Sequence, residues 1–434
     1  MKPVSSQFLI GATSSGSGKT TITLGLLRAF RNRGLKVQPF KCGPDYIDTK
    51  FHKIASGKDS INLDLFFSSP EHVREIYGKY AHVADVSIAE GVMGLFDGYE
   101  KSFGSSAEVA KTLGLPIILI LTPQSMAFSA AAILHGFKSF DPGLRVVGVI
   151  FNKVKSESHY RFLKDAADVV GLRSFGYLPP NDELVVPSRH LGLVADREEE
   201  IDILSDRAAA HIEKYLDVDE ILASTVCQMQ WKKKMNHSVG RSFTSAVAYD
   251  EAFSFIYREN IAYLENRGAV TLFSPLKDKE LPKADFLYIP GGYPENYLEE
   301  LSGNHEMIRS IRAYVEGGGK VLAECGGMMY LSKMIKDEKG VAYPMVGVFN
   351  QEATFEGMRL KLGYRQIEYN GMHLKGHEFH YSKLLGDLPS IAQQMSATGR
   401  MVETKLLRYK NALASYTHLY WAEIEDLMIL FDEV

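Results

Sequence analysis

Apolar and polar positions follow two periods along this chain, and in its first half the two periods alternate. Short apolar runs bounded by Gly, Pro or charged residues are typical of buried strands, and apolar residues three and four apart are typical of amphipathic helices. Regular alternation of the two predicts a parallel, doubly wound α/β sheet. The predicted strands are 8–10, 35–40, 86–89, 116–121, 146–151 and 174–178, and the predicted helices are 20–33, 106–113, 126–138 and 157–170.

The alternation stops near residue 195 and resumes near residue 242. The segment between is charge-rich and more helical than stranded, so we interpret it as a linker. The pattern predicts domains at 1–195 and 243–434, joined by a linker at 196–242, and both domains are expected to be doubly wound α/β. In the second domain the predicted strands are 245–249, 270–273, 286–289 and 320–323, the predicted helices are 251–267 and 305–316, and shorter β-like runs follow at 360–369, 379–382 and 412–421.

Composition narrows the classes of function. The chain has 434 residues, 45% apolar and 24% charged, which is typical of globular proteins and too long for one ordinary domain. A net charge of −4 gives no electrostatic case for nucleic acid as a partner. Three widely spaced cysteines argue against a disulfide framework or a metal cluster, which predicts a reducing cytoplasm. No signal peptide pattern is recognised, and no apolar run is long enough to span a membrane.

Residues 11–21, GATSSGSGKTT, follow a predicted strand and begin a predicted helix, which is the context of a phosphate-binding loop. Converging backbone N–H groups and the helix N-terminus would bind phosphate. Lys19 would reach the β- and γ-phosphates, and the Thr20 hydroxyl would coordinate Mg²⁺. Thr13 stands where the usual pattern has Gly, so a Gly/Ser-rich helix cap is the alternative. The predicted ATP-binding residues are Ser15, Gly16, Ser17, Gly18, Lys19, Thr20 and Thr21, with Asn152 at a later strand end.

Two acidic clusters follow predicted strands, at the sheet edge where open α/β sheets bind ligands. Their sequences are KCGPDYID at 41–48 and EGVMGLFDG at 90–98. Carboxylates near nucleotide phosphates most often hold Mg²⁺, but they also orient a substrate or balance a lysine. The alternative is ordinary Asp and Gly turn chemistry.

Cys325 lies in AECGG at 323–327, which resembles a nucleophile elbow with Ala323 in the first small position. Such a turn presents the side chain at the sheet edge and directs the Gly326 N–H at a developing oxyanion. The Gly291–Gly292 turn of IPGGYPE would complete that oxyanion hole. The alternative is a buried core cysteine, although a core position has no need of two following glycines.

A cysteine nucleophile needs a base, and two histidine segments follow it. They are GHEFHYS at 376–382 and SYTHLYW at 415–421, and spacing does not choose between them. A metal site from His377, Glu378 and His380 is disfavoured, because residues i and i+3 of a β-like run face opposite sides.

These motifs, in this order, resemble the cobyrinic acid a,c-diamide synthases over essentially the whole chain. The resemblance rests on GATSSGSGKTT, KCGPDYID, NLD at 62–64, EGVMGLFDG, FNKVKSESHY, SRHLGLV, IPGGYPE, AECGGMMYL, GHEFHYS and SYTHLYW. It implies an N-terminal P-loop NTPase domain similar to dethiobiotin synthetase and a C-terminal class I glutamine amidotransferase-like domain. It also implies two amidations of corrin acetate side chains through an acyl phosphate, with ATP as cosubstrate and Mg²⁺ as cofactor.

The resemblance also implies roles for single residues. The catalytic pair is Cys325 and His418, which leaves structural or interdomain roles for the histidines of GHEFHYS. The Mg²⁺ ligands are Thr20, Asp45 and Glu90, and the residues that contact the tetrapyrrole, its carboxylate or the domain interface are Tyr46, Asp48, Asp97, Arg189 and His190. The implied partners are a corrinoid or related tetrapyrrole, ATP and L-glutamine, with neither nucleic acid nor a membrane; a homodimer stays open.

Two alternatives to cobyrinic acid amidation stay open on the sequence. The same a,c-diamidation on hydrogenobyrinic acid or on nickel-sirohydrochlorin shares these motifs. A more remote alternative, from another class, is a non-catalytic nucleotide switch with the second domain as a binding module.

Overall fold

The computed structural model describes residues 4–186, 198–228 and 240–432. They form two compact units, the first from residues 4–186 and 198–228 and the second from residues 240–432. Each unit has its own buried apolar core. None of the helices within these ranges has the length and apolar character that crossing a membrane requires.

The first unit is built on one sheet with strand order β3-β2-β4-β1-β5-β6-β7. All neighbours in that order are parallel, and β8 pairs antiparallel with β1. The doubly wound sheet predicted for this half of the chain is confirmed. Its strands are β1 (Val4–Ala12), β2 (Val37–Cys42), β3 (Ile61–Leu63), β4 (Val86–Glu90), β5 (Pro116–Leu121), β6 (Arg145–Asn152), β7 (Arg173–Leu178) and β8 (Val226–Gln228).

Helices of the first unit follow the strands, as parallel connections require. Several begin at a serine or aspartate whose side chain accepts a backbone N–H, as Ser69, Ser105, Ser156 and Asp217 do. The helices are α1 (Lys19–Asn32), α2 (Ile47–Ser56), α3 (Pro70–Ala81), α4 (Ser106–Leu113), α5 (Ala130–Ser139), α6 (Glu157–Val170), α7 (Glu198–Tyr215) and α8 (Val218–Ser224).

Within the segment predicted as a linker, 196–242, residues 198–228 group with the first unit. Helix α7 packs against α1, where a Cβ on Gly25 would lie 2.9 Å from the Ala208 carbonyl oxygen. Arg28 on α1 pairs with Asp206 on α7 at 2.9 Å, and β8 extends the sheet. The charge-rich sequence that suggested a linker forms helix α7, which is charged on its outer face and apolar on its inner face.

The second unit has a six-stranded main sheet with order β11-β9-β12-β14-β24-β23. It is parallel except for the β23–β24 pair. Its strands are β9 (Ser245–Ala248), β11 (Val270–Phe273), β12 (Phe286–Ile289), β14 (Lys320–Glu324), β23 (Leu406–Tyr409) and β24 (Ala412–Ser415), and the unit's helices are α9 (Arg258–Arg267), α10 (Leu298–Gly303), α11 (His305–Glu316) and α12 (Gly326–Leu331).

Three smaller sheets complete the second unit. The first pairs β10 (Phe253–Phe255) with β13 (Gly291–Gly292). The second has order β16-β15-β17-β20 and the third β22-β21-β18-β19-β25. Their strands are β15 (Ser332–Lys336), β16 (Ala342–Pro344), β17 (Phe349–Thr354), β18 (Lys361–Tyr369), β19 (Met372–His380), β20 (Lys383–Leu385), β21 (Gln394–Ser396), β22 (Met401–Val402) and β25 (His418–Tyr420).

Three predicted elements of this unit differ from the structure. The β-like run predicted over 379–382 is the end of β19 and the two residues before β20. The helix predicted over 251–267 begins only at Arg258, because Asp250 accepts the backbone N–H groups of Ala252 and Phe253 in a turn that leads into β10. The single β-like run predicted over 412–421 is two strands, β24 and β25, which belong to different sheets.

Candidate active sites

The phosphate-loop residues lie between β1 and α1. The loop turns through Gly16 and Gly18, whose φ angles of 74° and 88° favour glycine. Helix α1 then begins at Lys19, and its first turn contains no acidic residue that would repel a bound anion. The Lys19 Nζ donates to the Met93 carbonyl oxygen at 2.5 Å.

A cavity of about 770 Å³ opens at this loop within the first unit. Of the predicted ATP-binding residues, Ser17 alone does not line it, since its hydroxyl donates to the Ser14 carbonyl at 2.8 Å. Asn152 lines the cavity, and its Nδ2 donates to the Ser17 carbonyl at 2.8 Å, so it holds the loop. Helix α7 also lines this cavity, with Ala208, His211 and Ile212.

Lys41, at the end of β2, lies in a buried charge cluster beside this cavity. Its Nζ contacts Asp48 Oδ2 at 2.6 Å and Glu90 Oε1 at 2.8 Å. Thr20 Oγ1 also donates to Glu90 Oε1, at 2.8 Å, and His52 Nε2 lies 2.6 Å from Glu90 Oε2. The cluster therefore joins the start of α1 to the ends of β2 and β4.

The electrostatics of this cluster favour its charged forms. Burial alone would lower the pKa of Lys41, but the charges of Asp48 and Glu90 raise it above its ordinary value. Burial opposes ionisation of Glu90, yet Lys41 and His52 hold its pKa well below the ordinary range. A buried lysine between two carboxylates is thus a permanent cation.

Of the predicted substrate residues that the structure describes, Asp48 alone lies in this cluster. Asp48 is fully buried and contacts Lys41, so a direct contact between Asp48 and a substrate does not fit its position. Tyr46 is 7% exposed and precedes α2. Asp97 is exposed, accepts the Gly94 N–H at 3.0 Å and does not line the cavity. Arg189 and His190 lie outside the described residues.

Oxygen ligands for a cation are present beside the loop. Thr20 Oγ1 and Glu90 Oε1 adjoin each other, and Asp45 lines the same cavity. Asp45 Oδ1 is occupied by the N–H groups of Ile47 and Asp48, each at 2.9 Å. Over the described ranges no group of three or more His, Cys, Asp or Glu is arranged to hold a metal. The residues therefore fit an ion that takes its remaining ligands from phosphate oxygens and water.

Cys325 occupies the turn between β14 and α12 in the second unit. Its φ of 46° and ψ of −105° are strained for a residue with a side chain, which is the geometry of a nucleophile elbow. Its N–H donates to the Ser415 carbonyl at 2.7 Å. Burial, the nearby Glu295 charge and Glu378 raise the pKa of the thiol, whereas the Gly326 N–H acts in the opposite direction.

One glycine of the Gly291–Gly292 turn lies next to this elbow, and the other lies next to the candidate base, His418. A Cβ on Gly326 would lie 3.2 Å from the Gly292 nitrogen, so two of the three predicted oxyanion-hole residues are neighbours. A Cβ on Gly291 would lie 2.2 Å from His418 Cε1, so the imidazole fills the space that this glycine leaves. The site therefore brings together all five predicted residues of the second unit.

His418 begins β25 and is 1% exposed. Its ring stacks on His377, with centroids 5.2 Å apart, and His377 Nδ1 lies 3.0 Å from the Tyr257 hydroxyl. Burial, followed by the neighbouring histidines, holds the pKa of His418 well below its ordinary value. A neutral imidazole at this place can accept a proton.

The histidines of GHEFHYS flank the candidate base. Glu378 accepts from His380 Nε2 at 2.6 Å and from Arg365 Nε at 2.5 Å. His380 stacks on Tyr416 at 3.5 Å. His377 and His380 therefore contact different partners, as expected for residues on opposite faces of a strand.

Comparison with known proteins finds a nucleotide-binding domain and a glutamine amidotransferase domain in this chain. Residues 8–194 match the CobQ/CobB/MinD/ParA nucleotide binding domain, and residues 244–425 match the CobB/CobQ-like glutamine amidotransferase domain. A cobyrinate a,c-diamide synthase of Caldanaerobacter subterraneus subsp. tengcongensis is 40% identical over 427 residues, covering 95% of this chain and 94% of that protein. The chain belongs to the cobyrinate a,c-diamide synthase family.

Other cobyrinate a,c-diamide synthases are similar to the same extent. That of Salmonella typhimurium is 37% identical over 441 residues, covering 97% of this chain and 96% of that protein. That of Picrophilus torridus is 41% identical over 433 residues, covering 95% of each chain. The resemblance inferred from the ordered motifs is confirmed, as is the fold class of a P-loop nucleotide-binding domain followed by a glutamine amidotransferase domain.

Sequence reasoning missed three residues at the two sites of this family member: Lys41 and His52 beside the phosphate loop, and Glu324 beside the elbow. Glu324 Oε1 accepts the Leu419 N–H at 3.0 Å and its Oε2 accepts the Tyr288 hydroxyl at 2.6 Å. It thereby ties the elbow to the strand of His418. A signal was present, since Lys41 and Glu324 are charged residues near the C-terminal ends of mainly apolar strands, where burial demands a partner.

Proposed function

We propose that this chain catalyses the ATP- and glutamine-dependent amidation of the a and c acetate carboxylates of cobyrinic acid, in cobalamin biosynthesis. Family membership supports the substrate class and the reaction. The observation that carries the proposal is that one chain combines a phosphate loop beside a cavity with a cysteine elbow and a buried histidine that both adjoin the Gly291–Gly292 turn. Neither a simple nucleotide switch nor a simple glutaminase needs both.

The second unit would release ammonia from glutamine. The Cys325 sulfur attacks the carbon of the side-chain amide as its proton passes to His418. The N–H groups of Gly292 and Gly326 stabilise the oxyanion, and Gly291 gives the turn room for His418. His418 then returns the proton to the departing ammonia. Water hydrolyses the thioester to glutamate and restores the thiol.

The first unit would activate the acid. A substrate carboxylate attacks the γ-phosphate of ATP, forming an acyl phosphate and ADP, and ammonia then displaces the phosphate. Loop N–H groups and Lys19 bind the transferred phosphoryl group. Mg²⁺, held by Thr20, Glu90 or Asp45 together with phosphate oxygens, would neutralise phosphate charge.

The charge cluster beside the phosphate loop supports the site rather than contacting the substrate. Lys41 is 2% exposed and already paired with Asp48 and Glu90, so we propose that it holds these carboxylates in place at the cavity. We revise the role of Asp48 to that of a partner that holds Lys41. Tyr46, Asp97, Arg189 and His190 remain proposed contacts of the tetrapyrrole. A cytoplasmic location and a homodimer also remain proposals.

A substrate comparison tests the reaction. Purified protein with ATP, Mg²⁺ and glutamine is given cobyrinic acid, hydrogenobyrinic acid or nickel-sirohydrochlorin, and products are compared by mass. We expect cobyrinic acid to exchange two carboxylates for amides, with ATP consumed and glutamate formed. Two amidations on another macrocycle alone would move the proposal to that substrate, and absence of amidation on all three would refute it.

A further inference from the structure

Glu295 lies on the segment that joins the oxyanion turn to the next helix. It is the middle residue of a 3₁₀ helix, Pro294–Asn296, that directly follows Tyr293. The Pro294 ring abuts the elbow, since a Cβ on Gly326 would lie 2.9 Å from Pro294 Cδ. The Tyr293 ring contacts Phe255 at 4.9 Å. The backbone of Glu295 is therefore fixed beside the candidate nucleophile.

The carboxyl of half-buried Glu295 differs from those of the buried glutamates around Cys325, Glu324 and Glu378. Its Oε2 is shielded from water and has no hydrogen-bond partner among the described residues. Glu324 and Glu378, in contrast, use both of their oxygens in hydrogen bonds with protein groups. A buried carboxyl oxygen without a partner costs free energy. Such a group in a candidate site indicates a ligand that supplies the missing donor.

Electrostatics indicate the charge of that ligand. Burial, reinforced by the neighbouring Glu338, raises the pKa of Glu295 to about 8. Within the described ranges no Lys, Arg or His forms a salt bridge with Glu295. Its charge also raises the pKa of the Cys325 thiol, which places the two groups within electrostatic reach. A cation bound at Glu295 would relieve both effects.

We propose that the Glu295 carboxylate binds the α-ammonium group of the substrate glutamine. This inference rests on the proposed glutaminase activity and assigns a subsite to it. When the glutamine amide carbon meets the Cys325 sulfur, its ammonium nitrogen lies four bonds away, at most about 5 Å from that carbon. A glutamate beside the elbow can meet it there, with a charge-assisted hydrogen bond.

The subsite makes the enzyme selective for a free amino acid. Amides without an α-ammonium group would leave the Glu295 oxygen buried and unpaired in the complex. Sites built around a hydrogen bond to a substrate group reject analogues that lack it more strongly than apolar pockets reject a smaller side chain.

A substrate pair and a variant pair test this subsite on the full chain. Ammonia release is measured with glutamine and with 5-amino-5-oxopentanoic acid, which is glutamine without its α-amino group. For the wild type we expect kcat/KM to favour glutamine by roughly 100-fold or more. In Glu295→Gln the KM for glutamine should rise by a similar factor, kcat should change little, and the preference should fall to a few-fold. The control, Glu338→Gln, removes a nearby exposed carboxylate and should keep the preference.

The outcomes separate the subsite from the activity. Equal kcat/KM values for the two amides in the wild type would overturn the subsite while leaving the glutaminase intact, as would a full preference retained by Glu295→Gln. Absence of ammonia release from glutamine in the wild type would refute the glutaminase and the subsite with it. Thermal unfolding of the full chain checks that Glu295→Gln is folded; if that variant is not, the wild-type comparison decides.

Discussion

At the scale of single residues, Gly291 shows how closely the second site is packed. Its missing side chain leaves the space that the His418 ring occupies, 2.2 Å from where a Cβ would stand. We expect Gly291→Ala to displace the imidazole and to lower glutamine-dependent amidation by roughly 100-fold, as misplacement of a catalytic group by about 1 Å does. Amidation with free ammonia should be unchanged.

Gly303→Ala is the matched control for that variant, because Gly303 is exposed and has no atom within 4 Å of a built Cβ. It should behave as wild type in both assays. A Gly291→Ala enzyme with normal glutaminase rates would remove His418 from the role of base.

Glu324 gives a prediction that depends on pH. Burial raises its pKa to about 8, even though Tyr288 and the Leu419 N–H lower it. Between the ordinary pKa near 4.5 and this value, the folded chain holds a proton that the unfolded chain releases. Raising the pH from 5 to 8 should therefore cost the wild type stability at this site. Glu324→Gln cannot ionise, so we expect its melting temperature to fall less over this range.

The Gln side chain can still bond both partners of Glu324, whereas Glu324→Ala leaves the Leu419 N–H and the Tyr288 hydroxyl unpaired in the interior. That should cost about 1–3 kcal/mol for each. Parallel pH profiles of the melting temperature for the wild type and Glu324→Gln would contradict a raised pKa in the folded protein.

At the scale of elements, the contact between α1 and α7 is set by a glycine. A Cβ on Gly25 would press on the Ala208 carbonyl at 2.9 Å, whereas Gly136 on α5 is exposed with no atom within 4 Å of a built Cβ. The same change, glycine to alanine within a helix, should therefore have opposite signs. Gly136→Ala should stabilise by up to about 1 kcal/mol, and Gly25→Ala should destabilise by roughly 1–3 kcal/mol.

Thermal unfolding of the full chain measures both variants. An increase in melting temperature for Gly25→Ala would mean that α7 does not pack this closely on α1. ATP-binding measurements add a second readout, since α7 also lines the cavity beside the phosphate loop.

The predicted elements match the structure where the apolar pattern is strong. They differ from it where an element forms only because a distant segment of the chain pairs or packs with it. Strands such as Pro116–Leu121 are continuous apolar runs, as parallel buried strands are. Strand Phe253–Phe255 has three residues, and it exists because Gly291–Gly292 pairs with it from a distant part of the chain. The local charge of Glu198–Tyr215 predicts a linker, because it gives no sign of the surface that the apolar face of this helix meets.

At the scale of the whole molecule, the same distinction applies to the two sites. The phosphate loop and the elbow are local, because strand, turn and helix follow one another in the sequence and place Lys19 and Cys325 directly. Lys41 and Glu90 are register partners on adjacent parallel strands, 49 residues apart. Such pairs depend on strand order and register, which composition and spacing do not determine. Resemblance to a family selected His418, and the fold then brought it to Gly291.

We propose that ammonia release and activation of the acid take place at separate sites. Two variants should therefore respond differently to the nitrogen source. Cys325→Ala should abolish glutamine-dependent amidation and leave ammonia-dependent amidation near the wild-type rate, because only ammonia release needs the thiol. Lys19→Ala should lower amidation with either nitrogen source by roughly 100-fold or more, because a charge that stabilises the transferred phosphoryl group is lost. Some glutaminase activity should remain in Lys19→Ala.

Amide formation, ATP consumption and ammonia release are measured in parallel for both variants. Cys227→Ala and Lys164→Ala are the matched controls, since Cys227 lies on β8 and Lys164 is an exposed residue of α6. Ammonia-dependent amidation that survives in Lys19→Ala would mean that the acid is not activated at this loop. Loss of ammonia-dependent amidation in a folded Cys325→Ala would mean that the thiol takes part in the ligase step itself, and the two half-reactions could then no longer be assigned to separate sites.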